Sequence, residues 1–229
     1  MNTLKTTLLL VFAILSLQGF SQEKSKKMNV AVFIYDGVEI LDFAGPAEVF
    51  SASAKRNKNG QWEQKFNVYT VAFSDQQITS QGFISISPNY SIANAPKPDI
   101  IVIPGGSSRA SRENPKVISW IKENSKSTIF LTVCTGAFIL AESGLLDNNH
   151  ATTWYGAVES FKKRYPKVNV LSDVRFVDNG KIITTAGVSA GIDGSLHLVK
   201  KLIGIESARK TAQYMEYDKW DESAGRVFD

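Results

Sequence analysis

Short, almost unbroken apolar runs alternate along this chain with stretches whose apolar residues recur at helical spacing. Asn29-Val-Ala-Val-Phe-Ile-Tyr35, Asp99-Ile-Ile-Val-Ile-Pro104 and Thr128-Ile-Phe-Leu-Thr-Val133 are rich in β-branched and aromatic residues and lack polar alternation. Runs of this kind predict strands buried on both faces, as in a parallel sheet. Residues 66–73, 168–171, 174–177 and 182–185 give further strand signals, and Asp178-Asn-Gly180 between the last two predicts a hairpin turn. Residues 78–95 read as a short hairpin or strand excursion. Helices are predicted over 46–54, with Pro46 as the first helical residue, and over 115–123, 137–142, 156–165, 189 or 190 to 202, and 207–216. Strands and helices in this alternation, with no repeat and no long linker, predict an α/β fold: a three-layer, doubly wound, mostly parallel sheet in one domain over residues 29–229.

The amino terminus departs from that pattern. Lys5, an apolar run over 8–17 and the small residues Gly19 and Ser21 match a secretory signal over residues 1–21, cleaved near Ser21. The run is about half the roughly 20 apolar residues that a spanning helix needs, so no stable membrane anchor is expected after cleavage. Residues 22–28 then form a flexible, lysine-rich start to a periplasmic or secreted protein. Hydrophobic residues at 43% and charged residues at 21% exclude a disordered chain. The net charge of +4 falls to +3 without Lys5, and the basic residues form no stripe. A nucleic-acid partner is therefore not expected.

Cys134 is the sole cysteine, so no disulfide forms within the chain. It stands where a buried strand meets a helix, followed by Thr135 and Gly136, a placement that resembles a nucleophile elbow with the helix start favouring thiolate. A buried structural thiol is the plain alternative. The carboxyl end of a strand in an open α/β sheet, where ligands collect, favours function. Pro104-Gly105-Gly106-Ser107-Ser108 offers unhindered backbone N–H groups which, with that of Thr135, would cradle a developing negative charge; a simple tight turn is the alternative. The G-x-G-x-x-G spacing is absent, so no dinucleotide is indicated, and no other cofactor is expected. Neither His150 nor His197 announces a Cys–His pair, and with one cysteine and two distant histidines no metal site is expected. The candidate proton-transfer groups are then Asp36, Glu39 and Asp42. Asp42 lies between Leu41 and Phe43, where burial near Cys134 would raise its pKa; capping of the following helix is the alternative.

Taken together, Asp36-Gly-Val-Glu-Ile-Leu-Asp42-Phe-Ala-Gly-Pro46, Ile103-Pro-Gly-Gly106, Val133-Cys-Thr-Gly-Ala137, Ala151-Thr-Thr153 and Thr185-Ala-Gly-Val-Ser-Ala-Gly-Ile-Asp193 resemble the ThiJ/PfpI superfamily. Within it they look most like the isonitrile hydratase branch and the sensor domains of AraC-type regulators. The resemblance implies the flavodoxin-like, class I glutamine amidotransferase-like fold and a homodimer. It further implies Cys134 as nucleophile, Asp42 as its acidic partner and Thr135 as a hydroxyl or backbone donor. Gly105, Gly106, Trp154 and Ser189 would then line the oxyanion and substrate site. Many relatives carry His where this chain has Trp154, and protease-like members carry His where it has Thr135, so a Cys–His–Glu mechanism does not transfer. Two readings follow. One is an enzyme adding water to a small electrophilic carbon; the other is a small-molecule-binding or redox-responsive protein using the same pocket without turnover. A DNA-binding regulator is disfavoured, because the sequence runs to Asp229 without a helix-turn-helix pattern.

Overall fold

The computed structural model describes residues 26–126 and 128–228; the signal expected over 1–21 lies outside them. Eight strands form the central sheet: β1 (Met28–Phe33), β2 (Phe66–Ala72), β3 (Tyr90–Ser91), β4 (Ile100–Ile103), β5 (Ile129–Val133), β6 (Phe176–Asp178), β7 (Ile182–Thr185) and β8 (Arg226–Val227). Their order across the sheet is β8-β6-β7-β5-β4-β1-β2-β3. Every neighbouring pair is parallel except β6 and β7, which form the antiparallel hairpin expected around Asp178-Asn-Gly180. From β1 the chain winds outward through β2 and β3, then returns to β4 on the other side of β1. The order thus reverses between β1 and β4, and the carboxyl ends of these strands border the crevice where such sheets hold their sites.

The helices are α1 (Ile40–Ala52), α2 (Arg109–Arg112), α3 (Pro115–Asn124), α4 (Gly136–Glu142), α5 (Val158–Arg164), α6 (Ala190–Ile203) and α7 (Ile205–Tyr214). One group, α1, α6 and α7, packs mutually on one face of the sheet, and α2, α3 and α4 pack on the other. Sandwiched between them, Val30, Ala31, Val32 and Phe33 of β1 and all four residues of β4 are fully buried. That burial is why these runs carry no polar alternation. Two short hairpins, Ala54–Arg56 with Trp62–Gln64 and Ile78–Ser80 with Ile84–Ile86, lie outside the sheet.

Three expectations need correction. Helix α1 begins at Ile40, so Pro46 lies inside it. Proline there forfeits the bond to the carbonyl four residues back, a loss usually near 3 kcal/mol. Packing offsets it: Gly45, Pro46, Val49 and Phe50 are buried, and a Cβ on Gly191 of α6 would lie 3.5 Å from Pro46 Cγ. Second, Met28 belongs to β1, its N–H donating to Lys65 O at 2.8 Å, rather than to a flexible start. Third, the chain does not close on its last helix but returns to the sheet as β8, where Phe228 N–H donates to Asp178 O at 2.8 Å. Two-residue strands such as β8 are too short to leave a periodic signal.

Candidate functional site

Three segments distant in sequence meet at the reversal point: the first turn of α1 with Asp42, the turn after β4 with Gly105, and the β5–α4 junction with Cys134. A Cβ on Gly105 would stand 2.7 Å from Thr135 N, 2.8 Å from Asp42 Oδ2 and 2.8 Å from Cys134 Cβ. Only glycine leaves room for the three to close on one point. Its N–H donates to Asp42 Oδ2 at 2.9 Å, and its carbonyl accepts from Glu39 N–H at 3.0 Å.

The elbow itself carries backbone strain. Cys134 has φ +57° and Val188 has φ +46°, left-handed values uncommon for non-glycine residues and least favourable for a β-branched one. Cys134 is held there by its N–H, which donates to Ala186 O at 2.9 Å, and by its carbonyl, which accepts from Thr153 Oγ1 at 2.8 Å. The strained Val188 turn brings its backbone N–H to the Cys134 sulfur, alongside that of Thr135.

Electrostatics at this point run against the sequence expectation. Burial raises the Cys134 thiol to about 12, and the Asp42 and Glu39 carboxylates add to the rise; the Thr135 and Val188 N–H groups oppose it and lose. Cys134 is therefore a thiol at rest, not the thiolate that a helix start was expected to favour. Two amide dipoles do not compensate for desolvation plus a neighbouring carboxylate. Asp42, fully buried, is raised to about 7, by burial first and by Glu39 second, against the Gly105 N–H and the Cys134 thiol, which lower it. Asp42 Oδ1 meets no backbone or side-chain partner in regular hydrogen-bond geometry among the described residues, and the Cys134 thiol is the side-chain donor acting on this carboxyl. The two titrate as a pair, and a carboxyl near 7 is matched to moving a proton at neutral pH.

The remaining expected residues separate. Gly105 borders Cys134 and Gly106 lies against the Gly37–Glu39 backbone, and their N–H groups are engaged: Gly105 with Asp42, Gly106 with Thr135 Oγ1 at 3.0 Å. The expected cradle of free glycine amides is not present in this state. Thr135 uses its hydroxyl to clamp that loop, donating to Gly106 O at 3.2 Å, and only its N–H faces the sulfur. Trp154 follows Thr153, whose hydroxyl bonds the Cys134 carbonyl, and lays its indole over Gly187, 38% exposed, edge-on to Tyr155. Ser189 is engaged with Arg175: its Oγ accepts from Arg175 Nη2 at 3.3 Å, within a cluster where Arg175 pairs with Asp193. Of the other carboxylates, Asp36 holds a turn through Thr79 N–H at 2.8 Å, and Glu39 stays beside the site. His150 stacks on Phe228, and His197 Nε2 bonds Asp178 Oδ2 at 2.8 Å. Among the described residues, no three His, Cys, Asp or Glu side chains converge to hold a metal.

Sequence reasoning passed over Tyr35 and Val188. The Tyr35 hydroxyl donates to Pro104 O at 2.9 Å and is pushed well above its ordinary value, by burial and then by Asp42 and Cys134. Its place at the carboxyl end of the first strand was the available signal. Val188 acts through its backbone, which leaves no residue-type signature.

Comparison with known proteins bears on the family and the fold. The chain is 25% identical over 193 residues to isonitrile hydratase of Pseudomonas putida, covering 83% of this chain and 78% of that one. It is 28% identical over 137 residues to the transcriptional regulator CdhR of Pseudomonas aeruginosa, but spans only 40% of the regulator's length. A THiJ/PfpI family protein of Pseudomonas syringae superposes with a TM-score of 0.75 at 23% identity, covering 86% of this chain and 78% of that one. Drosophila melanogaster DJ-1beta does so at 0.71 and 20%, covering 83% and 98%. The DJ-1/PfpI family profile matches residues 28–201, which carry the reversal point, the elbow and both flanking carboxylates, and the chain belongs to the DJ-1/PfpI family.

Proposed function

We propose that this protein adds water to the terminal carbon of a small isonitrile and releases an N-substituted formamide. The observation that carries the reading is the meeting of a buried, high-pKa carboxyl and a buried thiol on the Gly105 floor, at a strained elbow. The likeness to isonitrile hydratase supports it. In this chemistry Cys134 Sγ bonds the terminal carbon while its proton passes to Asp42. Asp42 then delivers the proton to that carbon, leaving a thioimidate on sulfur. Water adds to the same carbon, nitrogen takes a proton, the carbon–sulfur bond breaks and the thiol is restored. A thiol near 12 suits this order, since it surrenders its proton only as the new bond forms. Following the formyl proton by NMR with an alkyl isonitrile tests the reading. Turnover by the wild type, lost in Cys134→Ser and in Asp42→Asn, supports it; no formamide from the folded wild type refutes it.

The same burial favours a second reading, a small-molecule-binding protein without turnover, because Cys134 is only 8% exposed. A cleft of about 490 Å³ beside the elbow, lined by Thr152, Thr153, Tyr155, Arg175 and Ala186, does not include the sulfur. Calorimetric binding of an isonitrile with no product formed would select it. We also infer export with cleavage near Ser21 and a homodimeric assembly. The intact mass of the secreted protein and its sedimentation coefficient test these two.

A further inference from the structure

We infer that Glu39 is a specificity-determining residue that makes the Cys134 site select neutral and cationic electrophiles over anionic ones. The inference deepens the proposed function, resting on Cys134 as the reacting group but not on turnover. Glu39 is the residue preceding α1, and its backbone is fixed to the same floor as the sulfur. Its N–H donates to Gly105 O at 3.0 Å, and a Cβ on Gly106 would stand 2.7 Å from Glu39 N. The side chain is partly buried and tethered, accepting a hydrogen bond from Gln81 Nε2 at the tip of the 78–86 hairpin. That hairpin is itself held to the connection carrying Glu39: Gly37 N–H donates to Thr79 O at 2.8 Å, and Ser80 Oγ donates to Val38 O at 2.6 Å. The carboxylate therefore does not swing freely into solvent.

Among the described residues, no cationic side chain accompanies the two acids at Cys134. The two charged side chains that act on Cys134 are both acids, Asp42 and Glu39. Arg175, near the elbow through Ser189, is paired with Asp193. Asp42 is needed for the proton and becomes neutral when it takes one, which leaves Glu39 as the standing negative charge that an incoming reagent meets. Two unit charges at a separation on the order of 5–10 Å interact by an amount that changes a rate about three- to tenfold in a solvent-bathed mouth, and salt weakens it.

The lone cysteine allows a direct test that needs no substrate. Iodoacetamide and iodoacetate are nearly the same size, and each alkylates Cys134 by displacement: sulfur bonds the methylene carbon, iodide leaves with the bonding pair, and the thiol proton goes to solvent. Because one thiolate serves both reagents, the ratio of their rates cancels any change in thiol pKa and reports reagent charge alone. Relative to free cysteine, the wild type is expected to favour iodoacetamide by a further three- to tenfold. Glu39→Gln lowers that excess, the Asp42 carboxylate holding the remainder because the thiol proton goes to solvent, and in an Asp42→Asn background Glu39→Gln removes most of what is left. Raising salt on the unmodified wild type lowers the excess too, which keeps the test valid if the variant folds poorly. A ratio equal to that of free cysteine, or one untouched by both Glu39→Gln and salt, overturns the charge filter while leaving Cys134 as a candidate nucleophile. No alkylation of the folded protein by either reagent overturns the filter and the proposed function together.

Discussion

Asp42 and Asp178 are both almost wholly buried, at 0% and 1% exposed, yet their surroundings push them in opposite directions. Burial raises Asp178 too, but hydrogen bonds from His197 and Lys201, and then the charge of Lys201, outweigh it and hold the carboxyl below its usual range. Lys201 Nζ reaches both carboxyl oxygens, at 3.1 and 2.9 Å, and Gly180 N–H adds a bond at 2.8 Å. Asp42 has one backbone donor, one thiol and another acid for company. Asp178 is satisfied and pins β6 to α6. Asp42 is kept short of partners, which costs stability and leaves a proton free to move. A buried carboxyl without a cation is a poor structural element and a useful chemical one.

The largest expected effect breaks this contrast from the chemical side. Asp42→Asn keeps the acceptor for Gly105 N–H but cannot carry the proton, and formamide production should fall about a thousandfold. Asp178→Asn measured beside it should leave turnover per folded molecule unchanged. Stability should show the reverse. Asp178→Ala removes the acceptor shared by Lys201, His197 and Gly180 and should cost about 1–3 kcal/mol in urea unfolding.

The sharper test is pH. Between about pH 4 and about pH 7 folded Asp42 keeps a proton that the unfolded chain has released, so its contribution falls as pH rises through that window. Asp42→Asn should therefore be more stable than wild type at pH 8, by at most about 4 kcal/mol at 1.36 kcal/mol per pH unit, and the gain should shrink toward pH 4. Asp178 contributes with the opposite sign: its stabilisation is complete above the ordinary carboxylate range and is lost as pH falls through its lowered pKa. The smallest effect isolates the floor beneath Asp42. Thr135→Val removes both bonds to Gly106 and should cost about 1–2 kcal/mol without moving the pH dependence that belongs to Asp42.

Sequence pattern reached far into this site where a residue's chemistry and its flanks agreed. Cys134 was legible because a buried strand runs into helix formers with no spacer. Asp42 was legible because a lone acid stands between Leu41 and Phe43. What stayed hidden depends on partners supplied from elsewhere in the chain. The start of α1 was misplaced because proline preference is local, whereas the packing of Gly45 and Pro46 on α6 is not. The amides of Gly105 and Gly106 looked free because nothing in a Gly-Gly pair reveals that Asp42 and Thr135 will occupy them. Helix position suggested a thiolate at Cys134, but its protonation is set by burial and by a carboxylate 92 residues earlier in the chain. Asp178 drew notice only as a turn residue, since Lys201 and His197 meet it through tertiary folding.

The pairing of Asp42 with Cys134 is tested most directly by the rate of iodoacetamide alkylation against pH, in the wild type and in Asp42→Asn. The pairing predicts a wild-type rate still climbing beyond pH 9, and an Asp42→Asn profile displaced to lower pH because the carboxylate that opposes thiolate formation is gone. A wild-type profile that levels off at or below the ordinary thiol range and coincides with that of Asp42→Asn would contradict it.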